Sequence, residues 1–214
     1  MHCCFCINLK GATNLRRIVN SLFTLFFVIL FCLNSNVKAY TTKYYSEAKL
    51  LEKSDIIKGD TKGDLMLEET LQRQDLVIII ARLYSEEKRA QSMTGKLEFK
   101  DVDSKAYYRP FIIWAAEKGI MEGKSDKIFG VGDDVTVLQL ETILLRILGY
   151  EEEAKNSDLI VTLSDSLGLN EGINSRNSDS IKRGELSKMI INALNIERKG
   201  STIKLKDVLN LDIK

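Results

Sequence analysis

A short pattern, Gly/Asp-Ile/Leu-x-x-Gly, occurs three times in this chain and constrains its fold more than any other feature. It reads Asp55-Ile56-Ile57-Lys58-Gly59, then Gly119-Ile120-Met121-Glu122-Gly123, then Gly168-Leu169-Asn170-Glu171-Gly172. Fourteen residues after the closing glycine stand Arg73 and Val137; in the third copy the loop is shorter and Arg183 follows after eleven. From there each copy carries an apolar stripe: Leu76, Ile79, Ile80, Leu83; Leu140, Ile143, Leu144, Ile147; and Leu186, Met189, Ile190, Ala193. The spacing i, i+3, i+4, i+7 is that of an amphipathic helix. A second helical stretch precedes each pattern, with Ala48 and Leu51, then Ile112, Ala115 and Ala116, then Ile160 and Val161. Each copy therefore predicts helix, turn-rich loop, helix, with glycines where the chain takes positive φ and reverses. One such unit buries too little apolar surface to stand alone, so the three stripes are expected to pack together.

The residues outside the repeats divide into connectors and a leader. Arg16-Arg17, an apolar run from Leu22 to Leu33, and Val37-Lys38-Ala39 follow the order of a secretory signal, predicting cleavage after Ala39. The run is shorter than the ~20 residues of a membrane span. Phe31 is too bulky for the residue before a lipidated Cys32. The expected divisions are a signal at 1–39, units at 40–86, 99–150 and 157–196, and a tail at 197–214. Residues 85–98 and 151–157 read as polar connectors. In the tail, Ile203 and Leu205 alternate like a strand while Val208, Leu209 and Leu211 suit a helix.

Composition then narrows the chemistry. The four cysteines (Cys3, Cys4, Cys6, Cys32) and the single histidine, His2, all lie in the leader. The expected mature chain has neither, which excludes disulfides, thiolate or imidazole catalysis and Cys/His zinc sites. The leader also holds Lys10, Arg16, Arg17 and Lys38 and no acid, so its removal leaves 27 cations against 30 acids, a net of −3. A weakly acidic chain lacks the basic footprint of a nucleic-acid binder. No catalytic residue, metal or cofactor is expected. Acids are plentiful enough for a paired-carboxylate wall hydrolase, but nothing in the sequence singles out a pair.

The second copy runs Phe99-Lys100-Asp101-Val102, then Tyr107-Tyr108-Arg109-Pro110-Phe111-Ile112-Ile113-Trp114-Ala115-Ala116-Glu117-Lys118-Gly119-Ile120, with Gly123 and Phe129 beyond. This resembles the S-layer homology family, whose units open Phe-x-Asp-Val and continue Trp-Ala…Gly-Ile…Gly…Phe. The family's Leu/Ile-Thr-Arg-Ala-Glu signature is matched by Leu71-Gln72-Arg73-Gln74-Asp75 and Ile181-Lys182-Arg183-Gly184-Glu185. In the middle copy it has become Val135-Thr136-Val137-Leu138-Gln139, without arginine or acid. The resemblance spans residues 46–196. It implies an all-α, pseudo-threefold bundle with grooves between units, exported and held at the cell wall or cell surface without enzymatic activity. The implied partner is an anionic secondary cell-wall polysaccharide attached to peptidoglycan, pyruvylated polymers being common in the family, with an unidentified protein cargo in addition. Neither nucleic acid nor a membrane span after signal cleavage is expected. A protein–protein adaptor with degenerate grooves is the alternative, favoured by Val137 and the shortened third loop.

The candidate ligand-binding residues are Arg73, Arg183, Asp75, Glu185, Tyr107, Trp114, Asp101, Gly59, Gly123 and Gly172. A cation in the first turn opposes the helix dipole by about 0.3–1 kcal/mol, so Arg73 and Arg183 are expected to serve an anion, aided by free helix N–H groups. Asp75 and Glu185 also suit the first turn as acids. Tyr107 and Trp114 offer rings for sugar stacking, although Trp114 fits core packing equally well. Asp101 and Asp103 suit capping. Thr136 and Gln139 are expected to form a capping box.

Overall fold

The computed structural model describes residues 43–213; the expected signal segment lies outside them. The described chain is all-α, as expected. Its helices are α1 (Tyr45–Lys53), α2 (Arg73–Leu83), α3 (Glu87–Gln91), α4 (Arg109–Glu117), α5 (Val137–Leu148), α6 (Ser157–Leu167), α7 (Arg183–Leu194) and α8 (Leu205–Val208), with a 3-10 turn at Glu153–Lys155. Among the described residues no helix is long and apolar enough to cross a membrane.

The apolar stripes build the core. Every stripe residue on α2, α5 and α7 is buried. The shorter partner helices bury Ala48, Leu51, Ile112, Ala115 and Ile160 against them, while Ala116 is exposed and Val161 only partly covered. Packing runs between segments: α1 lies on α7, α4 on α2 and α6 on α5. Each short helix therefore covers the stripe of a different helix–loop–helix segment from its own.

The three segments end their first helix in one way. Ile56 N, Ile120 N and Leu169 N donate to the carbonyls of Leu51, Ala115 and Ser164, and those three apolar residues are buried. This bond, five residues back with an apolar anchor, is the Schellman ending, and it requires a left-handed residue just before the anchor. Gly119 (φ 65°) and Gly168 (φ 74°) supply it, and Asp55 does so at φ 58° despite its Cβ.

Before α2, α5 and α7, one buried residue each closes a ring of backbone hydrogen bonds. Leu71 N donates to Ile181 O (3.1 Å), Ile181 N to Val135 O (2.8 Å) and Val135 N to Leu71 O (2.8 Å). Residues more than 100 positions apart are thus locked at one point, and the N-termini of the three long helices converge there.

The connectors are more ordered than their polarity suggests. Residues 85–98 contain α3, which buries Ala90, and Ala154 is buried in the 3-10 turn. In the tail the helical pattern prevails: α8 begins at Leu205, which is in the core, and the strand-like alternation leaves only an isolated antiparallel bridge between Glu197 and Lys204.

Candidate functional site

The signature arginines occupy the first helical position of α2 and α7, directly after the hydrogen-bonded ring. Neither points at a free anion site as expected. Arg73 is 5% exposed. Its Nε donates to Phe129 O (3.0 Å) and its Nη2 to Glu122 O (2.8 Å), with the guanidinium 5.0 Å from the Phe129 ring centroid. Arg183 repeats the geometry, Nε to Leu65 O (2.9 Å) and Nη2 to Lys58 O (2.8 Å). Each guanidinium thus staples the loop of a neighbouring segment through two carbonyls. Burial pushes both arginines below their ordinary pKa, partly offset at Arg73 by Asp133 and Asp101 and at Arg183 by Asp75. They remain cations. The unfavourable dipole position is explained by these carbonyls, which sequence could not reveal.

The expected free helix N–H groups are likewise corrected. Arg73 N, Val137 N and Arg183 N donate to the carbonyls of Asp133, Asp179 and Glu69, and Leu138 N and Gly184 N to Asn177 and Leu67. Loop backbone has taken the donors that an anion would need.

Around this locked centre the other candidates separate. Glu185 is buried and accepts from Asn174 N (3.3 Å), Ser175 N (3.1 Å) and Ser175 Oγ (2.6 Å), so it holds the third loop. Asp75 accepts from the Tyr107 hydroxyl (3.2 Å). The Tyr107 ring is 68% exposed and edge-on to Tyr108, with centroids 5.2 Å apart, leaving an aromatic surface open. Burial and the Asp75 carboxylate raise the Tyr107 pKa, keeping its hydroxyl a donor.

Trp114 is a correction: it is 1% exposed, packs edge-on to Tyr84, and its indole N–H donates to Glu86 (2.9 Å). Its faces are core, so it offers no sugar platform. Asp101 does not cap α4; its carboxylate accepts from the N–H groups of Phe129, Gly130 and Val131 at 2.7–2.9 Å. Burial alone would raise its pKa, but these three donors hold it below the ordinary value. Asp103 accepts from Lys105 N in a local turn.

The glycines are structural too. A Cβ on Gly59 would meet Asp64 O at 2.7 Å, and one on Gly123 would meet Phe99 at 2.4 Å and Ser125 O at 2.7 Å. Gly172 instead has φ +82°, and its carbonyl accepts from the Tyr44 hydroxyl.

The structure assembles a cleft that motif reasoning missed. Beside the N-terminal ends of α7 and α1 lies a space of about 270 Å³ lined by Lys43, Tyr44, Leu67, Glu68, Asn174, Ser175, Lys182 and Glu185. Lys43 Nζ donates to Asn174 Oδ1 (3.0 Å) and sits 5.1 Å from the Tyr44 ring centroid; Lys182 pairs with Glu68 (2.9 Å). Tyr44 precedes α1 just as Tyr108 precedes α4, and this alignment was the available sequence signal. An aromatic wall beside two ammonium groups and two carboxylates suits a hydroxylated ligand, with the lysines available to its anionic substituents.

Residues 98–136 match the S-layer homology domain. Over 151 residues, 70% of this chain, it is 26% identical to the middle cell wall protein of Brevibacillus brevis and to the surface layer protein of Brevibacillus choshinensis. The chain spans only 14% and 13% of those two proteins. The match to the S-layer homology domain thus falls on the central segment, the one whose loop Arg73 staples, and it is this segment that is similar to that family.

Proposed function

We propose that this protein attaches non-covalently to an anionic secondary cell-wall polysaccharide, pyruvylated polymers included, through clefts at its helix junctions. The S-layer homology match and the two wall and surface-layer relatives support a cell-wall anchoring module at the cell surface. The observation that carries the finer reading is the α7–α1 cleft, where Lys43, Tyr44 and Lys182 line a space of about 270 Å³. The exposed Tyr107 ring beside Asp75 supplies a second surface of related chemistry at the α2–α4 junction. Two such surfaces on one rigid bundle gain from effective concentration on a repeating polymer. The buried arginines support this indirectly, by fixing the loops from which the clefts are built. Binding and release, with no bond made or broken, is the mechanism.

The test is sedimentation of the full chain with purified cell walls, before and after acid removal of the secondary polymer. Lys43→Ala combined with Lys182→Ala should weaken binding to intact walls about tenfold, or ~1.4 kcal/mol, while leaving the thermal melt unchanged. Equal sedimentation with stripped walls would sink the polysaccharide reading. Equal binding by the double variant would remove the α7–α1 cleft from it. Retention on a wall protein alone would instead favour the adaptor alternative.

A further inference from the structure

The junction between α5 and α6 holds a polar defect. Two buried side-chain atoms among the described residues have no hydrogen-bond partner, Glu141 Oε2 and Ser164 Oγ. Both residues are 0% exposed, and they lie on the two helices packed together at this junction. Buried polar atoms without partners are rare in folded proteins, because each loses its hydration without compensation. Glu141 stands where the equivalent positions of α2 and α7 carry Val77 and Ser187. Its other oxygen, Oε1, accepts from Asn170 Nδ2 (3.3 Å), which also donates to Asp165 Oδ1 (2.7 Å).

No cation compensates the carboxylate. Of the elements packed on α5, the 3-10 turn carries Lys155, which is bound to Glu152, and α7 carries Arg183, stapled to two carbonyls, and Lys188, paired with Glu47. Arg146, on α5 itself, is engaged with Ile120 O and Glu122. The acids on these elements are Asp158 and Asp165 on α6, Glu153 in the 3-10 turn and Glu185 on α7, with Glu171 in the loop beyond α6. Burial, followed by the charge of Asp165, raises the Glu141 pKa to about 7, against smaller opposing effects of Asn170 and Ser164. Arg176, across the adjoining cleft, does not contribute.

The Ser164 hydroxyl can donate to the ionised carboxylate or accept from the acid, so a proton on Glu141 relieves chiefly the uncompensated buried charge. We propose that the α5–α6 junction is a proton-operated latch: α6 stays seated on α5 while Glu141 is protonated, and ionisation of Glu141 loosens α6. That helix carries Val161 and Asp165 to the wall of a cleft of about 280 Å³, which Val137, Asn170, Ser175 and Arg176 also line. Loosening α6 opens that cleft.

The sign follows from the folded pKa lying above the ordinary 4.5. The stabilisation is complete below the unfolded value and is lost as pH rises through about 7. Hydrogen exchange of the full chain, corrected for intrinsic rate, should show residues 157–167 opening on the order of 100-fold more at about pH 8.5 than at about pH 5. Residues 73–83 should change far less. In Glu141→Gln, which keeps the shape without the titration, the increase should vanish. A flat wild-type profile, an equal rise in the variant, or an equal rise in residues 73–83 would overturn the latch. So would suppression of the rise by added calcium, since the orphaned oxygen would then be serving a metal ion rather than a proton. Should Glu141→Gln fail to fold, a carboxyl NMR titration of the wild type decides: a Glu141 midpoint near the ordinary glutamate value overturns the proposal.

Discussion

The α2 and α7 junctions differ from the α5 junction in how the helix entrance is secured. At α2 and α7 the residue before the helix, Gln72 or Lys182, makes no side-chain cap, and an arginine at the first helical position staples a distant loop. At α5 the arginine is Val137 and the entrance is closed by a capping box between Thr136 and Gln139, 3.3 Å in each direction. The first solution joins segments through a guanidinium; the second closes its own helix first, and touches another segment only where Gln139 Oε1 accepts a long bond from Arg73 Nη1 (3.5 Å). Position 137 can therefore lose its guanidinium without unravelling α5, but the third loop then depends on other ties, such as Glu185 and the Asn192 amide, which donates to Leu169 O and Glu171 O. The same junction tolerates the buried Glu141, and the two departures from the common pattern share one helix.

That contrast can be broken most forcefully at Arg73. Arg73→Ala leaves two loop carbonyls without their charged donor and should cost about 3 kcal/mol in denaturant unfolding. Arg183→Ala, at a site less fully buried, should cost about 2 kcal/mol. Equal and negligible costs would show that the staples carry no stability. Next in size is Gly123→Ala, where the new methyl meets an aromatic carbon and two backbone oxygens; a loss of about 2 kcal/mol is expected. Gly172→Ala meets only the flexible end of Lys188 at 3.2 Å, so its positive φ dominates, at about 1 kcal/mol. Reversal of that order in thermal melts would mean that the second loop yields more readily than its packing indicates.

Thr136→Ala tests the other side of the comparison. Removing the capping-box hydroxyl should cost about 1 kcal/mol, whereas Gln72→Ala, which has no cap to lose, should cost less than half of that. Smallest of all is Asp55→Gly. At φ 58° the aspartate holds a conformation that its counterparts Gly119 and Gly168 reach without a Cβ, so the substitution should stabilise by about 0.5 kcal/mol. A destabilisation would mean that the Asp55 side chain makes a compensating interaction.

Much of the helical framework was legible beforehand because its signals are local. The stripe Leu140-Ile143-Leu144-Ile147 shows its period in four residues, and the Thr136–Gln139 box lies within one turn. Trp114 was ambiguous for a local reason as well: a ring in a helix looks the same whether it faces core or sugar. Only the arrival of Tyr84 from the end of α2 and of Glu86 from the connector decided it. Tyr44 was overlooked because it precedes a helix that carries little of the motif, and its value arises from Lys182 and Ser175, more than 130 positions away.

The sequence by itself determined that this chain is helical, that its three long helices share one apolar register, and where those helices begin and turn back. Side-chain type and spacing are sufficient for that, because burial of a stripe and reversal at a left-handed residue are short-range requirements. Tertiary structure alone decided what the conspicuous polar residues do. The arginines found carbonyls instead of an open anion site, the helix N–H groups found loop backbone, and Leu71, Val135 and Ile181 closed a ring through atoms every residue possesses. Backbone partners have no signature in a sequence, so a guanidinium that serves them is indistinguishable from one that awaits a ligand until the chain has folded.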